Sequence, residues 1–201
     1  MAIVKIVQWD IHKAPEEDKV FAMNDEWDLK YGFVAASISQ WIFSNLAIAI
    51  DSKELSLGDI VSFKGSGNAE DTNYHAAIIH NNADPDKEMR WAGAGYYLLQ
   101  ILNQHFANKK VAITFIGTWL MWIVGDANAK EILQAIDQSE AQATVYVLPK
   151  DKDHLWRMEA VIEDTVWKER NRIAFLDSLN AEDETVLVWW VKGGDRQLEN
   201  N

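Results

Sequence analysis

The apolar positions along the chain change period several times, and the changes mark out its elements. The opening "IVKIVQW" is rich in β-branched residues and predicts a first strand. The next stretch, "DIHKAPEEDKVFAMNDEWDLKYG", mixes acids with scattered apolar residues and reads as a loop or a short helix. Then Val34, Ile38, Trp41, Ile42, Leu46 and Ala49 fall at helical spacing. That helix is apolar around much of its circumference, so burial is expected. "SLGDIVSF" and "YHAAIIH" predict two short strands, with "GSGNAEDTN" as a loop between them. Asp84-Pro85 supplies an N-cap and a first-turn proline, which predicts a helix running to about Phe106. Its apolar stripe would be Ala92, Tyr96, Leu99, Leu102 and Phe106. "VAITFIG" and "TWLMWIVG" read as two buried strands or one long bent one, with "DANAK" as the turn after them. "EILQAID" satisfies the strand and helix periods alike. "ATVYVLP" predicts a strand, Asp153 to about Asn171 a charged helix, and "TVLVWWVK" a closing strand. Helices early and strands mostly later predict an α+β fold rather than a regular βαβ alternation.

The bulk numbers narrow the function classes. A chain of 201 residues, 48% hydrophobic and 25% charged, suits one globular domain over residues 1–201. The net charge is 19 − 31 = −12, which repels phosphate backbones, so nucleic acid is not expected as a partner. Ten tryptophans are compatible with a protein-binding surface, and a protein partner is expected. The complete absence of cysteine excludes a thiol nucleophile, a thiolate metal site and a disulfide scaffold. The N-terminus lacks the pattern of a signal peptide, and the longest apolar run, "VAITFIGTWLMWIVG", is too short to span a bilayer as a helix. These features predict a cytoplasmic protein, or one exported without a cleavable signal peptide. The oligomeric state is not legible.

Candidate metal and cofactor motifs are weak, and none is expected to be used. His75 and His80 are five apart, so on one strand they point to opposite faces and cannot share a metal. "GSG" at 65–67 lacks the lysine and following helix of a phosphate loop. No G-x-S-x-G elbow is present.

Two longer stretches resemble known families. "LSLGDIVSF" followed by "YHAAIIHNN" resembles a stretch of NlpC/P60-type cell-wall hydrolases. That resemblance implies His75 as general base, with the cysteine it would activate replaced at Ala35 or Ala36. "GFVAASISQWI" resembles the nucleophile helix of YopT-type, papain-like cysteine proteases, and "GTWLMWIVGDANAKEILQAIDQSEA" resembles their histidine stretch. This second resemblance implies a papain-like α+β fold, with a central buried helix packed on a mostly antiparallel sheet. It places Val34 where the family has its cysteine, Trp119 where it has its histidine and Asp137 where it has the orienting acid. Valine has no ionisable proton, and an indole nitrogen only donates, so the triad chemistry is impossible with these residues.

Three functions follow as expectations. The first is a non-catalytic, protein-binding pseudoenzyme, such as a bacterial effector or toxin component. The second is an acidic immunity- or inhibitor-type protein that caps a basic enzyme. The third is an NlpC/P60-type hydrolase with its cysteine substituted.

Overall fold

A computed structural model describes residues 3–7, 11, 14–24, 45–46, 48–50, 54–65, 70–81, 86, 89–114, 121–147, 160–161 and 186–187. Within these, the order of elements is β1 (Ile3–Val7), β2 (Asp18–Asn24), β3 (Ile60–Lys64), β4 (Asn73–His80), a 3-10 turn (Met89–Trp91), α1 (Ala94–Phe106), β5 (Lys110–Thr114), α2 (Met121–Gln138), β6 (Gln142–Val147) and β7 (Val186–Leu187).

The strands form one seven-stranded sheet in the order β3-β4-β2-β5-β6-β1-β7. The neighbours β4/β2, β2/β5, β5/β6 and β6/β1 are parallel. Only the outer pairs β3/β4 and β1/β7 are antiparallel. The sheet is therefore mostly parallel, and the expected mostly antiparallel sheet is incorrect. The mixed α and β content is as expected. The physical reason lies in the connections: α1 lies between β4 and β5, and α2 between β5 and β6, and parallel neighbours need such crossovers. The alternation that the sequence seemed to lack is present from β4 to β6.

Both faces of the sheet are covered. On one face α1 and α2 bury Leu98, Ile101, Leu102, Ile132, Leu133 and Ile136 against Val20, Ala77, Ile79, Val111, Ile113 and Val145. Each such aliphatic side chain contributes about 1.5–3 kcal/mol by leaving water. On the other face Leu46 and Ile50, in residues of helical conformation, pack on Phe21, Met23, Val61, Tyr74, Ala76 and Ile78. A strand buried on both faces needs no alternation, which is why "YHAAIIH" is a nearly continuous apolar run.

The largest error of the sequence reading is β2. Asp18–Asn24 is a central strand, paired with β4 on one side and β5 on the other, where a loop or short helix was expected. Lys19 stands just before its apolar run, after Asp18, yet Lys19 is only 2% exposed. Its ammonium donates to the carbonyls of Ala14 (2.5 Å) and Glu16 (3.0 Å), and so the charge is satisfied inside the fold. The second error is "TWLMWIVG" with "DANAK": from Met121 onward these residues are the first turns of α2, not a strand and a turn. The ambiguous "EILQAID" continues that helix. The helix expected from Asp84-Pro85 begins instead at Ala94, after Gly93 in a left-handed conformation (φ 77°). Its buried face runs through Ala94, Leu98, Ile101, Leu102 and Phe106, while Tyr96 is exposed. Asp84 and Pro85, and most of the helix expected over residues 153–171, lie outside the described residues.

The "LGD" of the NlpC/P60-like stretch has a structural explanation. Gly58 has φ +93°, its N–H donates to Ile78 O, and a Cβ there would meet Tyr97 at 3.3 Å. Asp59 closes the turn by accepting from the Ser56 N–H at 2.8 Å. Gly58→Ala should cost about 1–2 kcal/mol, from the left-handed backbone alone, as a lower urea midpoint with an unchanged slope. A midpoint equal to that of the unsubstituted chain would show that the turn adapts.

Candidate functional site

In an open parallel sheet, a ligand crevice forms outside the carboxyl ends of the strands where the chain reverses its direction of travel along the sheet. Here β2 leads toward β4 on one side, whereas β5 leads to β6 on the other. The reversal therefore falls between β2 and β5, whose register runs Asp18↔Val111 to Val20↔Ile113. Their carboxyl ends, Asn24 and Thr114, flank that point.

Thr114 is the last residue of β5, and its Oγ1 is buried with no hydrogen-bond partner among the described residues. A buried hydroxyl without a partner costs about 1–3 kcal/mol, so it calls for an explanation. Among the described residues the indole nitrogen of Trp91 is the other such atom, at a residue 2% exposed. Trp91 packs on His80, the last residue of β4, with ring centroids 4.4 Å apart. Both orphaned polar atoms thus belong to the carboxyl edge of the parallel strands. Helix α2 joins two adjacent parallel strands, so its N-terminus starts at that same edge. The first turn of α2 carries no acidic residue, so no side-chain carboxylate of that turn offsets the positive end of the helix dipole. A helix N-terminus, a reversal point and unpartnered polar atoms make an arrangement suited to an anionic, hydroxyl-bearing ligand.

The residues singled out in the sequence fall elsewhere. Val34, Trp119, Ala35 and Ala36 lie outside the described residues. Asp137 is half-buried in the last turn of α2, on a helix rather than after the strand pair that a papain-like site requires. His75 lies on β4 near its amino end. Its Nδ1 is 2.8 Å from Ser62 Oγ, and its Nε2 is 2.9 Å from Asp18 Oδ1. Burial holds the His75 pKa below the usual 6.5, against the opposing bond and charge of Asp18. His75 and His80 contact different rings, Phe106 and Trp91 respectively. Among the described residues no three His, Cys, Asp or Glu side chains cluster to hold a metal. Among the same residues no helix is long and apolar enough to cross a membrane.

No protein-family model matches the sequence, and no curated protein matches it. Solved structures do. One from Thermosipho africanus, DarTG in complex with ADP-ribose, matches 75% of this chain at 12% identity with a TM-score of 0.54. A macrodomain variant from Oceanobacillus iheyensis with ADPR matches 82% of this chain and 94% of its own, at 16% identity and a TM-score of 0.53. An alphavirus structure, P23pro-zbd, matches 81% of this chain at 18% identity with a TM-score of 0.56. The fold is similar to that of the solved macrodomains. The chain spans 24% of the length of the alphavirus protein and 42% of the DarTG chain.

This fold overturns the papain-like, YopT-type recognition, because a macrodomain-like parallel sheet has no place for that family's helix and antiparallel sheet. The pseudoenzyme reading falls with it, as do its effector and toxin labels, the immunity- or inhibitor-type alternative and the NlpC/P60-type alternative. The matching of short apolar stretches had no register in three dimensions to constrain it. The carboxyl-edge site was missed because its elements are separated in sequence. A half-buried threonine ending a strand, with only its hydroxyl sealed from water, leaves no local signal.

Proposed function

We propose that this chain binds ADP-ribose, or ADP-ribose attached to a protein, in the crevice at the carboxyl ends of β2 and β5. The observation that carries the reading is the buried, unpartnered Thr114 hydroxyl at the reversal point of the sheet. It is supported by the fold, two of whose solved representatives hold this ligand. The chemistry is consistent. The diphosphate would be stabilised by the N-terminal end of α2 and by backbone N–H groups rather than by a basic surface, which a chain of net charge −12 does not favour. The ribose hydroxyls would supply donors and acceptors to orphaned polar atoms such as Thr114 Oγ1. The protein partner expected from the tryptophan-rich composition would then be one that carries ADP-ribose.

Calorimetric titration with ADP-ribose, ADP and AMP tests this. One-to-one binding with ADP-ribose the tightest is the expected outcome. Thr114→Val keeps the shape and removes the hydroxyl. It should weaken ADP-ribose about tenfold, the value of one net hydrogen bond, while leaving thermal stability equal or higher. No heat with any of the three ligands would refute the function. Full affinity in Thr114→Val would refute the site.

A further inference from the structure

We propose that Ser62 is a histidine-activated nucleophile, able to take an acyl group from an activated ester, at the edge of the sheet opposite the ADP-ribose crevice. The proposal is independent of ligand binding at that crevice.

The arrangement begins with strand register. Ser62 on β3 and His75 on β4 are direct antiparallel partners, so their side chains share one face. Asp18 and Asn73 are the first residues of β2 and β4, and they pair with each other. All the contributors therefore lie toward the amino ends of the parallel strands. The distances are 2.8 Å from Ser62 Oγ to His75 Nδ1 and 2.9 Å from His75 Nε2 to Asp18 Oδ1. Asn73 Nδ2 donates to the same carboxylate oxygen at 3.0 Å, which fixes the Asp18 rotamer. The Phe106 ring meets the His75 ring edge-on at 4.8 Å and holds its plane.

This geometry dictates the protonation pattern. A carboxylate only accepts, so Nε2 carries the imidazole hydrogen and donates it to Asp18. Nδ1 is left with its lone pair, and the Ser62 hydroxyl donates to it. That is the nucleophile, base and orienting acid of a serine hydrolase, with the two ring nitrogens exchanged. The three groups are held by strands rather than loops, which limits their drift. Their exposure is graded as the chemistry requires. Ser62 is exposed, whereas the His75 and Asp18 side chains are 12% and 21% exposed. An exposed serine has water for a partner and needs no imidazole to satisfy it, so the pairing has no necessity in folding.

The charged groups acting on His75 are Asp18 from β2, Lys109 just after α1 and His105 within α1. Burial, Lys109 and His105 all lower its pKa, against Asp18, so the ring is neutral at pH 7 and free to accept a proton. The step balances without a further reactant. Ser62 Oγ attacks the ester carbonyl carbon as its proton passes to Nδ1. The carbon–oxygen bond to the leaving alkoxide breaks, and the alkoxide takes that proton and departs as the alcohol. Ser62 is left as an ester and His75 as neutral imidazole. Water then attacks the acyl carbon as its proton passes to the same nitrogen. The bond from that carbon to Ser62 Oγ breaks, Oγ takes the proton back from Nδ1, and the carboxylic acid departs with Ser62 and neutral His75 restored.

The test uses the full chain with a fluorophosphonate, which traps activated serines with loss of fluoride, and with p-nitrophenyl acetate. Peptide mapping should place the phosphonyl group on Ser62. Ser62→Ala should abolish labelling while keeping the thermal midpoint and ADP-ribose titration of the unsubstituted chain. His75→Gln and Asp18→Asn should each slow labelling about 100-fold, the lower range of general-base catalysis. The labelling rate should rise as His75 becomes neutral and level off at a lower pH than for an ordinary imidazole, since burial lowers its pKa. Absence of label at Ser62, undiminished labelling in His75→Gln, or a rate still climbing at high pH as for an unassisted hydroxyl would each overturn the proposal.

Discussion

Gly95→Ala is expected to destabilise the fold by about 2 kcal/mol, lowering the thermal midpoint by about 4–8 °C. Two effects oppose each other here. Alanine is the better helix former by about 1 kcal/mol, and Gly95 is in the second position of α1, so propensity alone predicts a gain. The close approach of α2 decides against it. A Cβ on Gly95 would lie 2.7 Å from the Glu131 backbone oxygen and 3.0 Å from its carbonyl carbon. Backbone atoms of a packed helix cannot rotate aside, so α1 and α2 must separate. That separation disturbs Leu98, Leu102, Ile132 and Leu133, all at most 1% exposed. Tyr96→Ala, at a residue 58% exposed one position away, is the control and should change stability by less than about 0.5 kcal/mol. A Gly95→Ala chain as stable as the parent would show that the two helices are not locked at this crossing.

Lys19→Ala should cost about 3 kcal/mol in urea unfolding, through a cavity and two carbonyls left without their donor. Lys19 is one of the largest fully buried side chains, and its ammonium holds the carbonyls of Ala14 and Glu16 just before β2. Tyr146 ties the same segment from β6, its hydroxyl donating to the Glu16 carboxylate at 3.0 Å. A pH dependence follows. Burial lowers the folded-state pKa of Lys19 below 10.5, with the Glu16 charge working against that shift. Between the folded and unfolded pKa values the unfolded chain binds more protons, so stability rises with pH through that window and levels above 10.5. Lys19→Met keeps the volume and has no such slope. Comparing the two chains from about pH 7 to pH 10 isolates the Lys19 contribution. Parallel stability curves would mean that the ammonium reaches water after all.

The carboxyl-edge site and the Ser62 cluster fail to show in the sequence for related reasons. Ser62 and His75 are in plain view in "IVSFK" and "NYHAAIIH", but their contact depends on antiparallel register. Asp18 is fifty-seven positions from His75 and joins it only because β2 inserts between β4 and β5. His75 was expected as the base for a cysteine on a helix, whereas its ring nitrogens lie against Ser62 and Asp18, two partners that only strand register brings to it. Thr114 was read as part of an apolar run, which merged the end of β5 with the start of α2.

What the sequence by itself determined is local. The β-branched runs placed β1, β3, β4, β5 and β6, and the missing cysteines ruled out thiol chemistry. Periodicity placed Leu46 on a buried helical face and Leu102 and Phe106 in the core. Only the tertiary structure decided that these strands run parallel, that a lysine-bearing segment is a central strand, and that the reversal point falls between β2 and β5. Strand direction and order are set by which crossovers cover both faces, a global packing condition. Lys19 could be a core residue only because two backbone carbonyls from a neighbouring segment were there to meet its charge.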